Sequence, residues 1–165
     1  MTAQAGGHDI LLAYPIVGAN IGRFISLQKH HPDRIWTALV DDMQVLLEIE
    51  KAAREQSVSL RLLVDLNVGM NRTGIEPEKA DALYRRLSQS AHLTAAGLHA
   101  YDGNLYHRDR EQLELQWGTM IERVTALRDR LLQSGLAVPS VVASGTPTSA
   151  LAGRFANFEV GAGTT

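Results

Sequence analysis

Apolar and polar positions follow two rhythms along this chain: short apolar runs of strand length, and longer stretches of helical period. Asp9 to Ala13 reads as a strand that stops at Tyr14-Pro15, and Ile21 to His30 as a short helix. Ile35 to Val40 is a second strand, after which Asp41-Asp42 start a helix over Met43 to Gln56. Its apolar residues Val45, Leu46, Ile49 and Ala53 recur at helix spacing. Leu60 to Leu66 is the third strand. Pro77 to Ser88 is a helix with Pro77 suited to its first turn. Thr94 to Ala100 is the fourth strand, and Arg108 to Ser134 a long helix closed by Gly135. Ser140 to Ala143 and Phe158 to Val160 complete the series as the fifth and sixth strands.

Strands separated by helices imply a parallel sheet with right-handed crossovers. An open doubly wound sheet and a (β/α)8 barrel both fit that pattern. No Gly-x-Gly-x-x-Gly turn follows the first strand, which weighs against a dinucleotide-binding sheet. A complete barrel needs about 250 residues, so six units are roughly three quarters of one. The expected fold class is therefore α/β, an incomplete TIM-type barrel of about six of eight βα units, forming one partial domain over residues 1–165. Met1 to Ala5 reads as the last turn of a helix, and Gly161 to Thr165 follows a strand directly. Both ends read as internal to a longer protein, and the chain is expected to be a fragment.

Composition narrows the class. With 45% hydrophobic and 21% charged residues, the chain suits a soluble globular domain. No run approaches the roughly 18 apolar residues of a membrane helix, so no membrane partner is expected. A formal charge of −2 with scattered arginines gives no electrostatic case for nucleic acid. The absence of cysteine excludes disulfides and thiolate metal sites from these residues and fits a cytoplasmic location. Met1 to Gly7 has neither a basic region nor an apolar core, unlike a secretory signal.

The candidate chemistry lies at strand ends. The run Leu62 to Val68 leads into Gly69-Met70-Asn71-Arg72-Thr73-Gly74, which puts a permanent planar cation at the carboxyl end of a buried strand. Two further glycine turns follow later strands, Ser144-Gly145-Thr146-Pro147-Thr148 and Gly161 to Thr165. Such turns offer backbone N–H groups and hydroxyls to an anion, and neither contains lysine, which favours backbone capture of a phosphoester over a Walker-type site. Tyr101, in Tyr101-Asp102-Gly103, can stack on a flat ring or pass a proton. His99, inside the fourth strand, reads as a packed residue. His107 reads as a solvated loop residue, and His30, His31 and His92 as surface positions. Asp41 and Asp42 resemble helix caps. No histidine pair has a local ligand spacing, so no self-contained metal site is expected.

Three segments carry a family resemblance: Asp9-Ile-Leu-Leu-Ala-Tyr-Pro15, Val64 to Gly74, and Gly97-Leu-His-Ala-Tyr-Asp-Gly103. Together with the Ser144 to Thr148 turn they resemble the D-threonine aldolase group, which includes D-serine dehydratases and hydroxyaspartate aldolases. The Gly-Met-Asn-Arg-x-Gly element is also similar to the amino-terminal barrel of alanine racemases. The resemblance implies a pyridoxal 5′-phosphate barrel followed by a β-rich carboxy-terminal domain, which is absent here. It implies a homodimer acting on a small D-amino acid, and a divalent metal whose ligands lie outside this chain. It makes Arg72 and Tyr101 the catalytic candidates beside the cofactor ring, and Ser144, Gly145, Thr146, Gly161, Ala162 and Gly163 its phosphate holders. The implied reaction is cleavage of a D-3-hydroxy amino acid to glycine and an aldehyde. β-Elimination, racemisation, or a non-catalytic cofactor-binding barrel are the alternatives. One departure is sharp: the family's cofactor lysine belongs to a His-x-Lys-Thr context, and Lys29, Lys51 and Lys79 do not match it. The chain alone is expected to be inactive.

Overall fold

The computed structural model describes residues 2–155 and 158–161. Six strands run β1 (Asp9–Pro15), β2 (Ile35–Val40), β3 (Leu60–Asp65), β4 (Leu93–Ala100), β5 (Ser140–Ala143) and β6 (Phe158–Val160). They form one sheet in chain order, with every neighbouring pair parallel. Helices α1 (Ala19–His30), α2 (Met43–Glu55), α3 (Ala80–Ser88) and α4 (Arg110–Gln133) connect the first five strands. A 3₁₀ turn at Thr146–Thr148 runs into the short α5 (Ser149–Ala152) before β6. The order never reverses, as a doubly wound sheet requires, and the sheet curls into an incomplete TIM-like barrel.

Side-chain alternation divides the apolar residues between the two faces of the sheet. Ala38 and Val40, Leu62 and Val64, and Val141 and Ala143 belong to the large core, packed with helical residues such as Ile25, Leu46, Leu83 and Leu127. The intervening Leu39, Leu63 and Val142, with Ala96, form a second, smaller cluster on the opposite, concave face. Buried apolar residues thus line both faces, which is why the strands read as apolar runs rather than as simple alternation.

Several boundaries differ from the sequence reading, each for a physical reason. β1 continues through Tyr14 to Pro15, because it is an edge strand and a proline there forfeits no ladder bond on its open side. Pro77 precedes α3 in a turn that Lys79 closes by donating its N–H to the Glu76 carbonyl at 2.9 Å. The helix itself begins at Ala80. The single turn of α5 is too short to leave a period. At the amino end, Gly7 N–H donates to Thr2 O at 3.0 Å and Gly6 N–H to Ala3 O at 3.1 Å, with Gly6 at φ 93°. That is the bonding pattern of a helix carboxyl terminus.

One irregularity sets up the site. β3 and β4 pair Leu62 with Ala95 and then Leu63 with Gly97, so Ala96 is an extra residue. Gly97 has φ 132°, and a Cβ there would overlap the Ser140 carbonyl, so only glycine fits. Past the bulge, Asp65 pairs with His99. Uninterrupted pairing would have put the apolar Leu98 there instead.

Candidate functional site

The Arg72 loop is pinned from both sides. Asn67 Oδ1 accepts the N–H groups of Gly69 and Asn71, each at 3.1 Å, while its Nδ2 donates to Asn71 Oδ1 at 3.0 Å. Downstream, Thr73 donates its hydroxyl to Asp65 Oδ2 at 2.9 Å, and Gly74 its N–H to Asp41 Oδ2 at 2.8 Å. Of the two expected helix caps, only Asp42 acts as one, accepting from Val45 N–H at 3.0 Å. Asp41 instead fastens this loop.

Arg72 itself is exposed, and its guanidinium has no ion pair or hydrogen bond among the described residues. Its Cζ lies 5.5 Å from the ring centre of Tyr14 and 5.4 Å from that of Tyr101. An exposed cation–π contact contributes about 0.5–1 kcal/mol. Ordering an arginine side chain costs about 2 kcal/mol. One ring therefore cannot hold the side chain still, whereas two come close, and all of its N–H donors stay free for a ligand.

Beneath it lies a narrow recess lined by Ala13, Asp65, Met70, Thr73, His99 and Tyr101 together with Arg72. His99, which the sequence reading treats as packed, is 7% exposed and places Nδ1 at 2.6 Å from Asp65 Oδ1. A carboxylate oxygen can only accept, so Nδ1 is the donor and Nε2 is the nitrogen left for another partner. Asp65 thus joins His99 to Thr73, next to Arg72.

Just past the neighbouring β5, Ser144 has φ 85° and is only 2% exposed, and its Oγ has no hydrogen-bond partner among the described residues. A non-glycine residue in the left-handed region costs about 1–3 kcal/mol. An unpaired buried hydroxyl adds to that cost. Gly145 turns its N–H inward to Asp102 Oδ1, and Thr148 donates its hydroxyl to Asp102 Oδ2 at 2.7 Å. Burial pushes the Asp102 carboxyl up from its ordinary value, against the lowering effect of those bonds. The Gly161 N–H donates to the Ala143 carbonyl at 3.0 Å, continuing the β5–β6 ladder, and the Thr146 carbonyl accepts the Ser149 hydroxyl at 3.0 Å. A Cβ built on Gly145 would lie 3.4 Å from the Tyr101 ring. Tyr101 therefore sits between Arg72 and the Ser144 turn.

The structure gathers Arg72, Tyr101, Ser144 and Gly145 at the carboxyl ends of adjacent strands. Ala162 and Gly163 lie outside the described residues. His107 is exposed, and its Nδ1 accepts the Asp109 N–H at 3.0 Å at the start of α4. The sequence reading did not mark Asp65, Asp41, Asp102 or Tyr14 as part of the site. A period of two along β4 puts His99 on the same face as Tyr101, and was the one available signal. Among the described residues, no three His, Cys, Asp or Glu side chains form a metal-holding group. No helix among them is long and apolar enough to cross a membrane.

Comparison with known proteins gives a consistent picture. Residues 25–164 match the alanine racemase N-terminal domain family. The 3-hydroxy-D-aspartate aldolase of Paracoccus denitrificans is 29% identical over 147 residues, 87% of this chain and 38% of that protein. The crystal structure of D-threonine aldolase from Filomicrobium marinum superposes with a TM-score of 0.79 at 27% identity, over 98% of this chain and 44% of that one. D-threo-3-hydroxyaspartate dehydratase from Delftia sp. HT23 shares the fold, with a TM-score of 0.81 at 24% identity, over 98% of this chain and 43% of that one. The chain thus spans less than half the length of these relatives.

Proposed function

The chain belongs to the alanine racemase N-terminal domain family, and on that premise we propose that residues 1–165 are a partial pyridoxal 5′-phosphate-binding barrel of a lyase for D-3-hydroxy amino acids. The reaction proposed is aldol cleavage to glycine and an aldehyde, by a polypeptide that contains these residues, acting as a homodimer in the cytoplasm. The aldolase relative and the aldolase structure support that choice of chemistry. The observation that carries the cofactor reading is a pair of unmet polar groups flanking Tyr101. Among the described residues these are the guanidinium of Arg72, with no anionic partner, and the buried Oγ of Ser144, with no hydrogen-bond partner.

These residues fit the phosphate and oxyanion ends of the cofactor. Ser144 would donate its hydroxyl to the phosphate, with the turn through Gly145 and Thr146 and the segment from Gly161 to Gly163 alongside. Arg72 would donate in-plane N–H bonds to the ring oxygen or to a substrate carboxylate. Tyr101 would wall the ring, and the pinned loop would spare the site any reordering as charge develops. When bound, pyridoxal phosphate supplies an electron sink for the bond broken beside the amino group. Covalent anchorage has no candidate here. Lys29 bonds to Gln56 at 3.0 Å, Lys51 pairs with Glu55 at 4.0 Å, and Lys79 pairs with Glu76 at 2.8 Å, all on the outer, helical side. Binding by this chain is therefore proposed to be non-covalent and the chain itself inactive. The divalent metal expected for the whole enzyme would take its ligands from elsewhere.

Equilibrium dialysis against pyridoxal 5′-phosphate and against pyridoxal tests the reading. Saturable binding of the phosphate ester alone is expected, weakened about tenfold, about 1.4 kcal/mol, by Arg72→Ala and by Ser144→Ala. Equal binding of both vitamers, or no effect of either substitution, would overturn it.

A further inference from the structure

We propose that Tyr14 is a positioning residue: with Tyr101 it clamps the Arg72 guanidinium, so that the arginine reads an oxyanion only along its edge. The inference deepens the cofactor reading and, for its ligand, rests on it. Tyr14 lies on β1 and Tyr101 just past β4, with two strands between them. The loop after β3 carries Arg72 to both rings, at 5.5 and 5.4 Å from its Cζ. The two tyrosines make no ring contact with each other among the described residues, so each has its own approach to the cation.

A guanidinium has two faces and an edge. The faces attract aromatic rings, and the edge carries all the N–H donors. In the proposed clamp the two tyrosines, each within 5.5 Å of Cζ, take those faces, which bars Arg72 from stacking on a ligand ring and leaves it in-plane donation to a carboxylate or phenolate oxygen. The exposure of Tyr14, 51%, suits this part. A residue so open contributes little to the core, so its place against Arg72 is not a by-product of packing.

The test uses the ligand-free chain first, because that readout does not depend on what binds. In Tyr14→Ala and Tyr14→Leu the Arg72 Nε–H resonance should lose the Tyr14 share of its ring-current shift, and Arg72 should react several-fold faster with phenylglyoxal, mapped by mass spectrometry. Tyr14→Phe should match the parent in both. Urea midpoints should stay unchanged throughout, since the residue lies outside the core. Dialysis against pyridoxal 5′-phosphate should then show weaker binding for the Ala and Leu variants and rescue by Phe. An Arg72 resonance and reactivity unmoved by Tyr14→Ala and Tyr14→Leu would overturn the clamp. So would a Phe variant that behaves like the Ala variant, because the hydroxyl rather than the ring face would then be responsible. A parent chain that fails to bind pyridoxal 5′-phosphate while these signals respond as expected would refute the cofactor reading and leave the clamp standing.

Discussion

Asp65 Oδ1 lies 2.6 Å from His99 Nδ1, on adjoining strands, with the two residues 4% and 7% exposed. The other Asp65 oxygen holds Thr73, so one carboxylate ties the concave face of the sheet to the Arg72 loop. Replacing it by alanine strands a buried ring N–H and frees the loop. Asp65→Ala should lower unfolding stability by about 2–3 kcal/mol, the scale of hydrogen bonds to a charged group with their donors left unmet. Asp65→Asn, which keeps an acceptor, should lose less. Urea titration of the three proteins checks the order, and equal losses would refute it.

Gly103 lies against the ring of Tyr101: a Cβ there would meet its Cε1 and come within 2.6 Å of its Oη. The atoms it meets are the far end of a side chain, which can swing away. Gly103→Ala should therefore keep stability within about 1 kcal/mol while displacing Tyr101 from Arg72. Loss of the Tyr101 share of the Arg72 ring-current shift, with stability kept within that margin, is the expected pair of results.

Ser144 combines a left-handed backbone with a buried hydroxyl that is unpaired among the described residues. Glycine tolerates that φ, at the expense of a looser unfolded chain. Ser144→Gly should raise stability by about 1 kcal/mol and weaken pyridoxal 5′-phosphate binding. A site residue kept against the interest of the fold has that signature; one that merely packs would lose stability.

Tyr84 is fully buried and donates its hydroxyl to the Ala137 carbonyl at 2.8 Å. Burial pushes its phenol up to about 12 from 10.0. A folded-state value above the unfolded one means that the stabilisation is complete below pH 10 and is lost as pH rises from there toward 12. Ultraviolet titration should show one tyrosine ionising late and together with alkaline unfolding. Tyr84→Phe should remove that late step and cost about 1 kcal/mol at neutral pH.

The strands and the barrel class were legible because buried parallel strands leave apolar runs at regular intervals, and β2 and β5 fall where those runs lie. The positions of Arg72, Tyr101 and Ser144 just past strand ends were legible because strand ends and turn chemistry are local. What stayed hidden depends on register. Nothing near Asp65 in the chain announces His99, which is reached only through the pairing of β3 with β4. Asp41 looked like a cap because two adjacent aspartates before a helix are interchangeable on paper, whereas only Asp42 has the geometry. Tyr14 reaches Arg72 across the intervening β2, a relation that no periodicity records.

The extra residue at Ala96 makes segment length, as well as residue identity, a carrier of chemistry in this protein. Pairing these same residues without the bulge would leave every side chain of the recess in the sequence, yet set Leu98 opposite Asp65 and exchange which face of the sheet the rest of β4 presents. Alignments that run ungapped through this strand, and grafts that copy its residues without the bulge, would then transplant the letters of the site while turning His99 and Tyr101 out of the barrel.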